Sequence, residues 1–131
     1  MSENVYTIKG VAGEVLAARF LRDKGYRILS SNYHSRFGEI DIIAEDGPYI
    51  VFVEVKARSE HSMTLPREAV TPDKTKKILR TASMYVKAYP SNLQPRFDVV
   101  EVWVSDDDPM IPLQIDHLIS AYEAGDLHEA F

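Results

Sequence analysis

The chain has 131 residues, 45% of them hydrophobic, no cysteine and a formal net charge of −5. That length supports one domain over 1–131 with a single core, and the lack of thiols excludes a disulfide framework or a thiolate zinc site. No apolar run approaches the roughly 18 residues of a membrane span, and Met1–Asn4 lacks the basic-then-apolar pattern of a signal peptide, so a cytoplasmic protein without membrane contact is expected.

In chain order, 8–24 reads as a helix, with Val11, Val15 and Ala18 on one stripe, Ala12, Leu16 and Phe20 beside it, and Gly25 as its stop. Strands are predicted over 26–33, 37–44 and 49–58, the last two separated by the breaker Asp46-Gly47-Pro48 and therefore paired as a hairpin. The polar segment 59–69 reads as a loop. Thr71 and Pro72 then open a helix to about Ala88, Thr as N-cap and Pro at the first helical position. A fourth strand over 96–104, a turn over 105–109 and a weaker fifth strand over 111–119 complete the order. Short turns between the first three strands imply an antiparallel meander. A helix between the third and fourth implies a right-handed crossover to a parallel strand. The expected fold is α/β, a mixed sheet in helix, three-strand, helix, strand order with a short extra C-terminal strand.

The charge is unevenly distributed. Residues 1–100 hold all 15 Lys and Arg against 12 acids, whereas 101–131 hold 8 acids and no Lys or Arg. The body is mildly basic, and the acidity sits in a C-terminal tail from about residue 105. This allows a nucleic-acid partner through a local patch, although the body is far from the pI above about 9 of an overtly basic binder.

Two adjacent strands carry the chemistry. Gly38-Glu39-Ile40-Asp41 is followed, after the hairpin turn, by Val53-Glu54-Val55-Lys56. Alternation places Glu39 with Asp41 on one face of the first strand, and Glu54 with Lys56 on one face of the second. The run Tyr49 to Val53 is apolar on both faces, as in a central strand. Acids and a lysine at the end of such a strand are costly unless paired or ligated. Either they form a cross-strand ion pair on a solvated rim, or Asp41, Glu54 and Lys56 converge as the hard ligands and cation of metal-assisted phosphodiester hydrolysis. On the second helix Lys76, Arg80 and Lys87 oppose an apolar side of Ile78, Leu79, Ala82, Tyr85, Val86 and Tyr89, with Lys74 and Lys77 flanking. That basic face is the wet side of an amphipathic helix or a set of phosphate contacts.

A longer series of motifs gives these residues a context: Gly13-Glu14 with Ala17, Asn32-Tyr33, Arg36-Phe37-Gly38-Glu39-Ile40-Asp41, residues 51–58, Ala69-Val70-Thr71-Pro72 with Lys74, and Arg96-Phe97-Asp98-Val99. In this order and spacing the chain resembles the YraN-like family of uncharacterised bacterial proteins. That family is similar in turn to Holliday-junction resolvases and the wider restriction-endonuclease-like superfamily. The resemblance implies that Asp41 and Glu54 bind magnesium or manganese, that Lys56 is the catalytic lysine, and that Glu14 joins the metal shell from the first helix. Glu39 is then an auxiliary acid or a rim residue, and Arg36 and Arg58 suit flanking phosphates. Glu14, Asp41, Glu54 and Lys56 are expected to gather within reach of one cation.

Other sites have less support. His34, His61, His117 and His128 lack the i to i+4 spacing of a helical zinc site. His117 reads as a hydrogen-bonded core or rim residue, and Trp103 as core or interface packing. There is no nucleophile elbow or phosphate-cradling glycine loop. Three functions follow: a magnesium-dependent deoxyribonuclease acting on DNA, branched or junction DNA included, and expected to be a homodimer because a duplex or junction offers two strands; a nucleic-acid-binding adaptor with the same fold and no turnover; and an interaction module using the acidic tail.

Overall fold

The computed structural model describes residues 2–59, 72–108 and 110–121, with side chains from residue 11 onward. Helix α1 (Ser2–Asp23) is longer than its periodicity predicts. It ends in a Schellman cap. Tyr26 N–H donates to Leu21 O at 3.0 Å and Gly25 N–H to Arg22 O at 2.9 Å, with Gly25 at φ 95°, a dihedral that a side chain would strain. The cap turns the chain sharply into β1 (Arg27–Ser35), which is followed by β2 (Gly38–Asp46) and β3 (Tyr49–Ser59) in an antiparallel meander. Asp46 pairs with Tyr49, leaving a two-residue Gly47-Pro48 turn with positive φ at Gly47, the pattern of a tight hairpin.

Helix α2 (Pro72–Ala88) then leads to β4 (Gln94–Val104), parallel to β3, and β5 (Pro112–Leu118) pairs antiparallel with β4. The sheet order is β1-β2-β3-β4-β5, which makes β3 the central strand. The predicted α/β order is thus the observed one. Most of the predicted 59–69 loop and the Thr71 cap lie outside the described residues, as do His61 and His128. Of the acidic segment, Asp106, Asp107 and Asp108 form the β4–β5 connection, Asp108 accepting from Met110 N–H, and Asp116 lies in β5. No helix among the described residues is long and apolar enough to cross a membrane.

The two helices cover opposite faces of the sheet. Leu16, Ala17 and Leu21 of α1 pack with Ile42, Ala44, Val51, Val53, Val100, Val102 and Val104. On the other face Ile78, Leu79, Ala82 and Tyr85 of α2 pack with Ile40, Ile43, Ile50, Phe52 and Phe97. Burial on both faces explains why β3 carries an unbroken apolar run instead of an alternating one. For α1 the stripe differs from expectation: Ala12, Leu16, Ala17 and Leu21 face the sheet, while Val11 and Val15 are 57% and 42% exposed. Small residues at the contact allow close approach. A Cβ on Gly13 would stand 2.7 Å from Ala57 Cβ, so α1 lies directly on the far half of β3.

Candidate functional site

The close contact of α1 with β3, and the packing of α2 on the other face, bracket the middle of the central strand. There β2 and β3 part company. Their ladder runs from Asp46↔Tyr49 to Ile42↔Val53 and is not paired beyond it. Ile42 and Ala44 pack on the α1 side and Ile43 on the α2 side, as alternation requires, yet Ile40 also packs on the α2 side. Strict alternation is therefore broken between Ile40 and Ile42, at Asp41, and Glu39 and Asp41 line the same pocket. The break puts the Asp41 carboxylate where the next rung would have been. Its Oδ2 accepts the Val55 N–H at 2.8 Å, a hydrogen bond that the departing strand no longer supplies.

Asp41 and Glu54 face one pocket of about 200 Å³, together with Glu39, Lys56 and Lys74, and with Ile40, Phe52 and Ile78 in its apolar wall. Burial raises the Asp41 carboxyl to about 6; the Val55 N–H opposes this, and the charges of Glu14, Glu54 and Glu39 add to it. Glu54 and Lys56 are both buried. Glu54 Oε1 lies 2.8 Å from Lys56 Nζ and 2.6 Å from Lys74 Nζ. Burial and the neighbouring Lys74 charge lower the Lys56 pKa against the pull of Glu54. For Lys74, burial also works downward, but the hydrogen bond to Glu54 and the carboxylate field outweigh it and raise the pKa.

The pocket suits a hard cation in its donor types: the carboxylates of Glu39, Asp41, Glu54 and Asp98 line it, with neither thiol nor imidazole. The second Glu54 oxygen, Oε2, is buried without a hydrogen-bond partner among the described residues, an omission that ordinarily costs about 1–3 kcal/mol. A cation between Asp41 and Glu54 would satisfy it. Among the described residues, however, no three His, Cys, Asp or Glu side chains form a ready metal cluster. Glu14 acts on Asp41 through its charge but is not among the residues lining the pocket, where Asp41 and Glu54 stand with Lys56 and Lys74.

The other candidate phosphate-contacting residues lie on the β1–β2 turn, on α2 and at the end of β3. Arg36 and Arg80 both lie over the Phe37 ring, at 4.9 and 5.5 Å from its centroid. The β1–β2 turn that carries Arg36 and Phe37 is pinned to α2, Ser35 Oγ and Thr81 Oγ1 lying 2.8 Å apart. A Cβ on Gly38 would stand 3.6 Å from Lys77 Cβ. Lys76, Lys77, Arg80 and Lys87 are exposed on the outer side of α2. Arg58 is partly buried at the end of β3, with Nη1 3.5 Å from Ala57 O and Nε buried without a partner. His34 pairs with Glu39 at 3.3 Å on the surface.

Sequence reasoning missed two features. It placed Lys74 with the surface cations, whereas it reaches Glu54. It quoted Arg96-Phe97-Asp98 without a role, whereas Arg96 is the centre of a buried network. Arg96 Nε and Nη2 donate to the two Asp98 oxygens at 3.0 and 2.9 Å, Nη2 also to Tyr26 Oη at 2.7 Å, and Nη1 to Asp46 Oδ2 at 2.9 Å. His117 Nε2 lies 2.8 Å from Asp98 Oδ2, and the Ser120 N–H donates to Oδ1 at 3.1 Å. The i, i+2 spacing of Arg96 and Asp98 on a strand, which puts both on one face, was the available signal.

Fold and site together describe an α/β protein whose five-stranded mixed sheet presents a carboxylate and lysine pocket beside the middle of its central strand, where β2 leaves it. Residues 13–102 match the model of Uncharacterised protein family UPF0102, and the chain belongs to that family. It is 43% identical over 114 residues to a UPF0102 protein of Syntrophomonas wolfei, covering 86% of this chain and 96% of that one. A UPF0102 protein of Syntrophus aciditrophicus is 45% identical over 123 residues, 93% of this chain and 95% of its own. One from Symbiobacterium thermophilum is 51% identical over 94 residues, 71% of this chain and 80% of its own.

Proposed function

We propose that this protein is a magnesium- or manganese-dependent endonuclease that hydrolyses phosphodiester bonds of DNA, with branched or junction DNA as its preferred form. The observation that carries the reading is the convergence of Asp41, Glu54 and Lys56 on one pocket where β2 and β3 separate. Asp41 and Glu54 would hold the cation, which when bound supplies Lewis-acid charge to the scissile phosphate and acidifies a water nucleophile. Lys56, held by Glu54 and shielded from solvent, presents a preorganised ammonium to the charge that develops on the phosphate. The Val55 N–H orients Asp41, so that one carboxylate oxygen stays engaged with the backbone. Arg36, Lys76, Lys77 and Arg80 lie outside the pocket, where they would meet flanking phosphates of the same strand or its partner.

The test is cleavage of fluorescent four-way junction, linear duplex and single-stranded DNA in magnesium, manganese or EDTA. Cleavage is expected with either metal, none in EDTA and none by Asp41→Asn. The second reading, a DNA-binding adaptor without turnover, draws on the ion pairs that already neutralise one Glu54 oxygen. Salt-dependent binding of the junction with no manganese-dependent cleavage above the Lys56→Ala background would replace the enzyme with the adaptor.

A further inference from the structure

Glu54 receives more positive charge than one carboxylate oxygen needs. Both ammoniums are drawn to Oε1, at 2.8 Å for Lys56 and 2.6 Å for Lys74, while Oε2 of the same carboxylate has no hydrogen-bond partner among the described residues. Two like charges share one oxygen only where the surrounding field is strongly negative, and the pocket supplies that field through Asp41 and Glu39 as well as Glu54. The two lysines are not equivalent. Lys56 extends from β3 beside Glu54 and its side chain is 9% exposed; Lys74 reaches across from the first turn of α2 and its side chain is 41% exposed. A half-exposed ammonium on a flexible four-carbon stem has a route into water, whereas the buried one has no such exit.

We propose that Lys74 is the resident counter-ion of this pocket: it neutralises Glu54 in the cation-free protein and is displaced from Oε1 when a divalent cation binds between Asp41 and Glu54. The inference rests on the reading of those two carboxylates as cation ligands. It makes Lys74 a positioning residue for Glu54, since the carboxylate is held towards the pocket before the metal arrives. Competition between an ammonium and a divalent cation for one carboxylate also sets the cation affinity below what the two acids alone would give.

Two measurements without DNA test the exchange. In calorimetric titration with manganese, Lys74→Gln should bind about 5- to 10-fold more tightly than wild type, because the competing ammonium is gone. Lys76→Gln removes the same charge from the same helix, away from the pocket, and should change affinity less than about twofold. In the wild-type protein, reductive methylation of Lys74, read by mass spectrometry, should speed up at least about threefold at saturating manganese as the ammonium enters solvent, with Lys76 unchanged. This second arm needs no variant to fold. Equal effects of Lys74→Gln and Lys76→Gln, or a Lys74 labelling rate indifferent to manganese, would overturn the exchange while leaving a cation site whose binding is lost in Asp41→Asn. If wild type, Lys74→Gln and Asp41→Asn all fail to bind manganese, the cation reading and the exchange fall together.

Discussion

Asp41 is the residue whose ionisation the fold resists most visibly. Burial pushes its carboxyl up to about 6 in the folded protein, against an ordinary value of 3.8. Between those values the folded chain keeps a proton that the unfolded chain has lost. Stability without metal therefore falls as pH rises from about 4 to 6 and levels off above that window. After allowance for partial exposure the loss is about 2 kcal/mol, or about 5 to 7 °C in Tm for a chain of this size. Thermal melts in EDTA from pH 4 to 7 should show that decline in wild type relative to Asp41→Asn, in which nothing titrates at this position. Parallel profiles for the two proteins would mean that Asp41 is solvated. Lys56 makes a different prediction, because its ammonium is buried next to where charge would develop on the phosphate. Lys56→Ala should lower turnover by about 10² to 10³ with DNA affinity nearly unchanged, as checked by single-turnover cleavage alongside fluorescence anisotropy.

Among the elements, α1 and α2 do different work on the same strand. Helix α1 is set down on β3 through Gly13, and any Cβ there would collide with Ala57 Cβ, which has no freedom to move aside. Gly13→Ala should cost about 1–3 kcal/mol through overpacking, despite alanine's better helix propensity. Adding Ala57→Gly should recover part of it, with a coupling of at least about 1 kcal/mol in a double-mutant cycle by urea denaturation. Additive losses would show that the helix and strand do not touch there. Helix α2 buries Ile78, Leu79, Ala82 and Tyr85 and exposes Lys76 and Arg80. If those two contact phosphates, Lys76→Glu with Arg80→Glu should weaken DNA binding and lower the slope of log affinity against log salt by about 2. An unchanged slope would reduce this face to the solvated side of an amphipathic helix.

For the whole molecule, the Arg96 network fastens together parts distant in sequence: the turn after α1 through Tyr26, the β2–β3 hairpin through Asp46, β4 through Asp98, and the end of β5 through His117 and Ser120. Burial would raise the Asp98 carboxyl, but hydrogen bonds from His117, Arg96 and the Ser120 N–H hold it below the usual carboxylate range. Removing the guanidinium leaves a buried carboxylate with less compensation. Arg96→Met should therefore destabilise by about 3–5 kcal/mol, measurable by urea denaturation. A loss below about 1 kcal/mol would mean that His117 and the backbone suffice for Asp98.

The order of elements was legible in the sequence because burial imposes its own period: Ile78, Leu79, Ala82 and Tyr85 recur at helical spacing, and Tyr49 to Val53, apolar throughout, required a strand covered on both sides. The proposed acids and lysine of β2 and β3 could be singled out for the same reason, since charge at the end of a buried strand stands out locally. Only the tertiary structure decided which groups meet. The break in alternation at Asp41 comes from strands separating beyond Ile42↔Val53, and the outward turn of Val11 and Val15 from the rotation that Gly13 allows against Ala57. Lys74 reaches Glu54, and Arg96 reaches Tyr26 and Asp46, across separations that no local period encodes. Such contacts depend on how helices and strands are rotated and spaced when the whole core packs, a collective property of many side chains at once.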